Sequence, residues 1–185
     1  MKDVKLFDNR ILFKDELVSE TDMPTLFTGK RIVMFGLPGA FTPTCSSKQV
    51  PAYEDMYEQF IDTNKVDDVY CVSVNDHFVM NAWGKDLGIK KITLIPDGDG
   101  SLTRQLGMLV NKPVQNFGYR SWRYSAYVVN GIVKEMFIEP GINNMSADED
   151  PYEESTPEKI LEYVKSYCLM LIEQKHEIQI NDGRV

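Results

Sequence analysis

Cysteine and histidine are scarce in this chain, three of the first and two of the second among 185 residues. Cys45, Cys71 and Cys168 are too few and too scattered for a disulfide framework. Cys45 is followed by Ser46, Ser47 and Lys48, so it has no C-x-x-C partner, and dithiol oxidoreductase chemistry is excluded at that position. His77 and His176 stand at no spacing that would make a zinc site with these cysteines, and neither a metal nor a cofactor is expected. Asp97-Gly98-Asp99-Gly100-Ser101 begins like a calcium loop, but its closing position is Met108 instead of the required Glu, which leaves a turn.

Positive charge is also in short supply. Twenty Lys and Arg stand against 28 Asp and Glu, and the net charge of −8 argues against a nucleic-acid or anionic-membrane partner. No apolar run approaches the about 20 residues of a membrane span. Met1-Lys2-Asp3-Val4-Lys5 has the character of neither a signal nor a transit peptide, so a cytoplasmic protein is expected. The hydrophobic share of 43% and charged share of 26% are those of a soluble globular chain. Residues 1–185 fit one domain, large enough to bury roughly 70% of its unfolded surface without a staple.

What is present is a sequence of alternating elements. Residues 1–29 form a lead-in, with a short hairpin expected over Val4 to Phe13 around Asp8-Asn9. Residues 31–36 are a continuous apolar run, as in a strand buried on both faces. From Cys45, the apolar positions Val50, Tyr53, Met56, Tyr57 and Phe60 recur at helical spacing, with Pro51 expected to kink the helix unless it falls in the first turns. Val69–Val74 predicts a strand, followed by a helix capped at Asn75 or Asp76 and ending near Gly88. Ile92–Ile95 predicts another strand and Ser101–Met108 a short helix. This alternation implies crossover connections and parallel strands. Tyr124–Val129 and Ile132–Ile138 then flank Asn130-Gly131, the strongest two-residue hairpin signal. After an acidic loop from Glu139 to Thr156, a last helix carries Ile160, Leu161, Val164, Cys168, Leu171 and Ile172 on one face, and residues 167–185 extend the domain. Crossover units, a hairpin and a closing helix make the thioredoxin-like order, an α/β fold with a mixed central β-sheet flanked by helices.

The segment Gly36-Leu37-Pro38-Gly39-Ala40-Phe41-Thr42-Pro43-Thr44-Cys45 places the cysteine where a strand ends and a helix opens. A free cysteine has a pKa of about 8.5 and is mostly protonated at neutral pH. Lowering such a value by about two units takes roughly 2.7 kcal/mol of preference for the thiolate. Unpaired N–H groups and the helix dipole supply part of that preference.

With Pro38-x-x-x-Thr42-x-x-Cys45 in this setting, the chain resembles the peroxiredoxins, thiol peroxidases of thioredoxin fold. Ser73-Val74-Asn75-Asp76-His77-Phe78-Val79-Met80, Trp83-Gly84 and Arg120-Ser121-Trp122-Arg123-Tyr124-Ser125 point to the peroxiredoxin-five branch, and the likeness runs from about Lys30 to Val164. The resemblance implies that Cys45 attacks a hydroperoxide and that Arg123 stabilises the sulfur and the peroxide oxygens. It implies that Thr42 hydrogen-bonds the sulfur and the substrate, and that Pro38 shields the thiolate. Gly39, Phe41, Thr44 and Arg120 complete the implied substrate surface, Arg120 being either part of the site's network or a solvated or interface residue.

Other readings of the same residues stay open. Cys45 with His77 suggests a cysteine hydrolase, although that leaves the Pro-Thr-Cys spacing unexplained. A peroxide sensor would share the first chemical step. The sulfenic acid formed on Cys45 needs a second thiol. The loop from Pro140 to Pro157 contains no cysteine, and Cys71 and Cys168 both fall on apolar positions. One-cysteine chemistry is therefore expected, with glutathione and glutaredoxin as the donors that the resemblance implies, and thioredoxin acting through Cys168 as the alternative. The resemblance implies a homodimer through the face bearing the active-site loops, which in this chain would involve Phe41, Phe78, Met80, Trp83, Tyr119 and Trp122, although the same residues are also suited to an ordinary core.

Overall fold

The computed structural model describes residues 11–13, 20–63, 65–142 and 150–167. Cys168, the rest of the C-terminal extension and residues 4–10 of the expected first hairpin lie outside them. The ladder that is described pairs β1 (Ile11–Phe13) with β2 (Glu20–Asp22), a partner further along the chain than Asp8-Asn9 implied. A short helix, α1 (Met23–Phe27), follows.

The central strand is β3 (Arg31–Leu37). Its apolar run is continuous because both faces are covered. Ile32 and Met34 point into a cluster with Phe27, Leu102, Val110 and Trp122. Val33, Phe35 and Leu37 point into a second cluster with Val50, Tyr53, Trp83 and Val164. A helical run begins at residue 43, passes through a π turn at Cys45–Gln49 and continues as α2 (Val50–Ile61). Pro51 is accommodated in the first turn of α2, just after the π turn, in which the Val50 N–H reaches back to the Cys45 carbonyl.

Strand β4 (Asp68–Ser73) pairs parallel to β3, and β5 (Thr93–Pro96) pairs parallel to β4. Between them α3 (His77–Leu87) is capped by Asp76, which accepts the Val79 N–H at 2.9 Å, and is closed by Gly88 at φ 67°. The Asp97 turn is a cap as well. Its buried carboxylate takes the N–H groups of Leu102 and Thr103 at 3.0 and 2.8 Å and starts α4 (Ser101–Gln105).

A small two-stranded ladder, β6 (Leu109–Lys112) with β7 (Gly118–Ser121), was not foreseen from the sequence. Then β8 (Tyr124–Val129) returns antiparallel to β3 and forms the Asn130-Gly131 hairpin with β9 (Ile132–Ile138), both turn residues having positive φ. The sheet order is β5-β4-β3-β8-β9. Helix α5, residues 157–167 among those described, packs Ile160, Leu161 and Val164 on the same face as α2 and α3. Gly36 of β3 lies beside Tyr124 of β8. A Cβ there would sit 2.1 Å from the Tyr124 ring, so only glycine lets the two strands pass at this point.

Candidate active site

The antiparallel pairing of β3 and β8 brings the C-terminal end of one strand to the N-terminal end of the other. The loop that leaves β3 is shaped by Asn75, whose Oδ1 accepts the Ala40 N–H at 3.0 Å and the Ser73 hydroxyl at 2.7 Å. Pro38 and Gly39 are buried in it. A Cβ on Gly39 would lie 3.4 Å from the Thr42 methyl, 3.6 Å from Asn75 Oδ1 and 3.7 Å from Arg120 Nη1, all ordinary van der Waals contact. Phe41 takes a positive φ of 61°, is 53% exposed, and tilts its ring 6.5 Å from that of Trp83. The Trp83 indole N–H donates to the Ser46 hydroxyl at 3.0 Å, tying α3 to the first helical turn.

Thr42 starts the helical ladder by accepting the Ser46 N–H at 3.0 Å. Its hydroxyl donates to the Gly39 carbonyl at 2.7 Å and not to sulfur, which corrects the expected Thr42–Cys45 bond. The proton is committed to the loop, and the oxygen keeps its lone pairs as an acceptor. Thr44 makes no side-chain cap bond. Cys45 follows within the first helical turn and is fully buried.

Arg123 comes from the other side. The chain on either side of it is pinned: the Trp122 N–H donates to the Met108 carbonyl at 2.7 Å, the Trp122 indole to the Glu139 carbonyl at 2.8 Å, and the Glu139 N–H to the Arg123 carbonyl at 3.1 Å. The guanidinium is 2% exposed, and its Nη1 donates to Cys45 Sγ at 3.5 Å. The same Nη1 donates to Gln49 Oε1, and Nη2 pairs with Asp150. The Tyr152 ring centroid lies 5.8 Å from the guanidinium carbon. Burial opposes the arginine's charge, but the Cys45 sulfur and the Asp150 carboxylate outweigh it and push the guanidinium's pKa up. Arg123 Nε and Gln49 Nε2 are buried and have no hydrogen-bond partner among the described residues.

Arg120 stands apart from the sulfur. It donates to the Val74 and Phe117 carbonyls at 2.8 and 3.0 Å and braces β7 against the segment just past β4. His77 opens α3 with its ring 4.0 Å from that of Phe78, so the group bonded to the sulfur is a guanidinium and not an imidazole. Cys71 is buried in β4, and burial, reinforced by Cys45, pushes its thiol well up. The six candidate interface residues divide: Phe41, Phe78 and Tyr119 are exposed, whereas Met80, Trp83 and Trp122 are core.

Gln49 was not singled out from the sequence, and the segment Asp150-Pro151-Tyr152-Glu153 stands out there only as resembling members that use glutathione and glutaredoxin, not as a partner of Arg123. Gln49 carried a readable signal, a polar residue at the i+4 position between Cys45 and Tyr53 on one buried stripe. For Asp150 the contact with Arg123 carried no signal, because that partner lies 27 residues away across a loop.

The redoxin family profile matches residues 11–155. "Peroxiredoxin y4vD" of Sinorhizobium fredii is 52% identical over 141 residues, covering 76% of this chain and 74% of the relative. "Hybrid peroxiredoxin hyPrx5" of Haemophilus influenzae is 48% identical over 139 residues, 75% of this chain and 55% of that protein. Among solved structures, the Plasmodium falciparum antioxidant protein, titled a 1-Cys peroxiredoxin, superposes with a TM-score of 0.82 at 40% identity, covering 90% of this chain and 99% of the other.

Proposed function

The chain belongs to the redoxin family as a peroxiredoxin of the peroxiredoxin-five type, a thiol-dependent peroxidase, and on that premise we propose that Cys45 is its peroxidatic nucleophile. The Cys45 thiolate attacks one peroxide oxygen in line with the O–O bond. That bond breaks, the attacked oxygen stays on sulfur as a sulfenic acid, and the other oxygen leaves as water or alcohol after taking from solvent the proton that the Cys45 thiol released on ionising. The observation that carries this reading is the buried Arg123 Nη1 at 3.5 Å from Cys45 Sγ. In a site closed to water, that contact favours the charged sulfur far more than it would in solvent. Arg123 Nη1, already at the sulfur, is the donor nearest the oxygen on which charge develops. Thr42 accepts the peroxide O–H, since its own proton goes to Gly39. Pro38, Gly39, Phe41 and Thr44 wall the approach, and Arg120 lies beside Gly39.

Hydrogen peroxide and small alkyl hydroperoxides are the substrates of this reading. The reducing half is one-cysteine chemistry, in which glutathione attacks the sulfenic acid and glutaredoxin releases the mixed disulfide. Two facts support it: Cys71 is held as a buried thiol, and the Plasmodium relative carries the 1-Cys description. Exposed Phe41, Phe78 and Tyr119 support a homodimer around the site. The test is peroxide consumption with glutathione plus glutaredoxin, against thioredoxin plus its reductase, for wild type, Cys45→Ser and Cys168→Ser. The expected result is turnover with glutaredoxin, lost in Cys45→Ser and retained in Cys168→Ser. Turnover with thioredoxin alone that disappears in Cys168→Ser overturns the one-cysteine reading.

A further inference from the structure

The arginine beside Cys45 is gripped from behind by a strap that the displacement chemistry leaves without a role. Glu139, 1% exposed, follows β9 and turns its carboxylate onto the segment leading into α5. Its Oε1 accepts the N–H groups of Glu153, Glu154 and Ser155 at 3.0, 2.9 and 2.8 Å and the Ser155 hydroxyl at 2.7 Å, and its Oε2 takes the Glu153 N–H at 3.1 Å. The Tyr53 hydroxyl on α2 donates to the Ser155 carbonyl at 2.8 Å, fixing the segment from the other side. A buried carboxylate with this many donors is a rigid anchor.

The strap ends on the arginine itself. Asp150 pairs with Arg123 Nη2 while its own side chain is 36% exposed, against 2% for the arginine. The loop closes on itself, since the Glu139 N–H also donates to the Arg123 carbonyl at 3.1 Å. The guanidinium is planar, so fixing Nη2 also fixes the directions of Nη1 and Nε. Nη1 is the atom on Cys45, and Nε is buried without a hydrogen-bond partner among the described residues.

We propose that Asp150, anchored through Glu139, is a positioning residue for peroxide reduction, setting the angle at which Arg123 meets Cys45 and the substrate. This rests on the peroxidase reading above. An arginine free to turn about its last bonds loses the alignment that the in-line displacement needs, and misplacement by about 1 Å costs up to about a hundredfold in rate.

The test compares two reactions of the same sulfur in wild type, Asp150→Ala and Asp150→Asn. Stopped-flow measurement gives the second-order rate with hydrogen peroxide, and iodoacetamide gives the rate of plain alkylation, which needs the thiolate but no oriented donor for an oxygen. Asp150→Ala is expected to lose on the order of tenfold or more with peroxide and to keep its alkylation rate. Asp150→Asn, which retains an acceptor oxygen at the same place, is expected to recover most of the peroxide rate. A peroxide rate unchanged in Asp150→Ala overturns the proposal. So do parallel losses in both reactions that Asn does not rescue, because they report a damaged fold. An inactive wild type removes the peroxidase premise itself, whereas an active wild type with an equally active Asp150→Ala removes only the role of Asp150.

Discussion

Arg123 is a buried cation, and such a group persists only when its hydrogens are spoken for. Gln49 takes one of them, yet its own Nε2 lies buried with no partner among the described residues. An unmet buried amide costs about 1–3 kcal/mol, and a hydrogen bond to a charged group returns about 1.5–3 kcal/mol. The two nearly cancel, but removing Gln49 also leaves a buried guanidinium N–H without its acceptor. Gln49→Met, of similar volume, is therefore expected to lower the unfolding free energy by about 1–3 kcal/mol. The peroxide rate is expected to fall on the order of tenfold. Denaturant titration and stopped-flow kinetics on the same preparation check both halves. An intact rate beside such a stability loss would leave Gln49 a structural role alone.

At the scale of elements, β3 and β4 are locked together at their starts by one carboxylate. Asp67 accepts the Arg31 N–H at 2.7 Å, its Nε at 3.1 Å and its Nη2 at 2.6 Å, while the Asp67 N–H returns to the Arg31 carbonyl at 2.7 Å. The hydrogen bonds from Arg31, outweighing the opposing effect of burial, hold the Asp67 carboxyl below the usual carboxylate range. A depressed carboxyl stabilises the fold above its unfolded pKa of about 3.9, and that contribution is lost as pH falls through the lower folded value. With both side chains 37% exposed, solvent screening limits the ion pair to under about 1 kcal/mol. Asp67→Asn is therefore expected to melt slightly below wild type at pH 7 and to converge with it as pH falls through the lowered folded pKa of Asp67, as followed by thermal denaturation across pH. A gap that widens in acid would contradict this.

The elements differ in how much of them could be read from the sequence. The Asn130-Gly131 hairpin and the Asp76 and Gly88 helix stops are local signals, and they fell where the sequence placed them. The ladder of β6 and β7 is only four residues on each side, with Asn and Lys inside it and no two-residue turn to announce it. The contact of Cys45 with Arg123 spans 78 residues. Composition and periodicity contain no trace of that contact, so only the family resemblance named the arginine, and the pairing of β3 with β8 supplied its place. The resemblance drew attention to the Asp150 segment only for the choice of thiol donor and to Gln49 not at all, because the contact each makes is with a side chain far away along the chain.

On the scale of the whole molecule, the mixed sheet gathers the reactive groups at one end. The parallel strands β3 and β4 run towards that end and the antiparallel β8 starts there, so the Cys45 loop, the start of α3 and Arg123 share one rim. Three aromatic side chains face outward from segments near it: Phe41 is 53% exposed, Phe78 77% and Tyr119 65%. Apolar area returned from water contributes about 25 cal/mol per Å², and large aromatic side chains serve as anchors where two surfaces meet. Phe78 is the most exposed of the three and stands in the first turn of α3, where an acidic residue suits the helix dipole. Phe78→Asp is thus expected to fold with wild-type stability while shifting a dimer towards monomer, read by sedimentation velocity over a concentration series. Wild type sedimenting as a monomer at every concentration would remove the dimer. A variant as dimeric as wild type would move the interface to another face of the molecule.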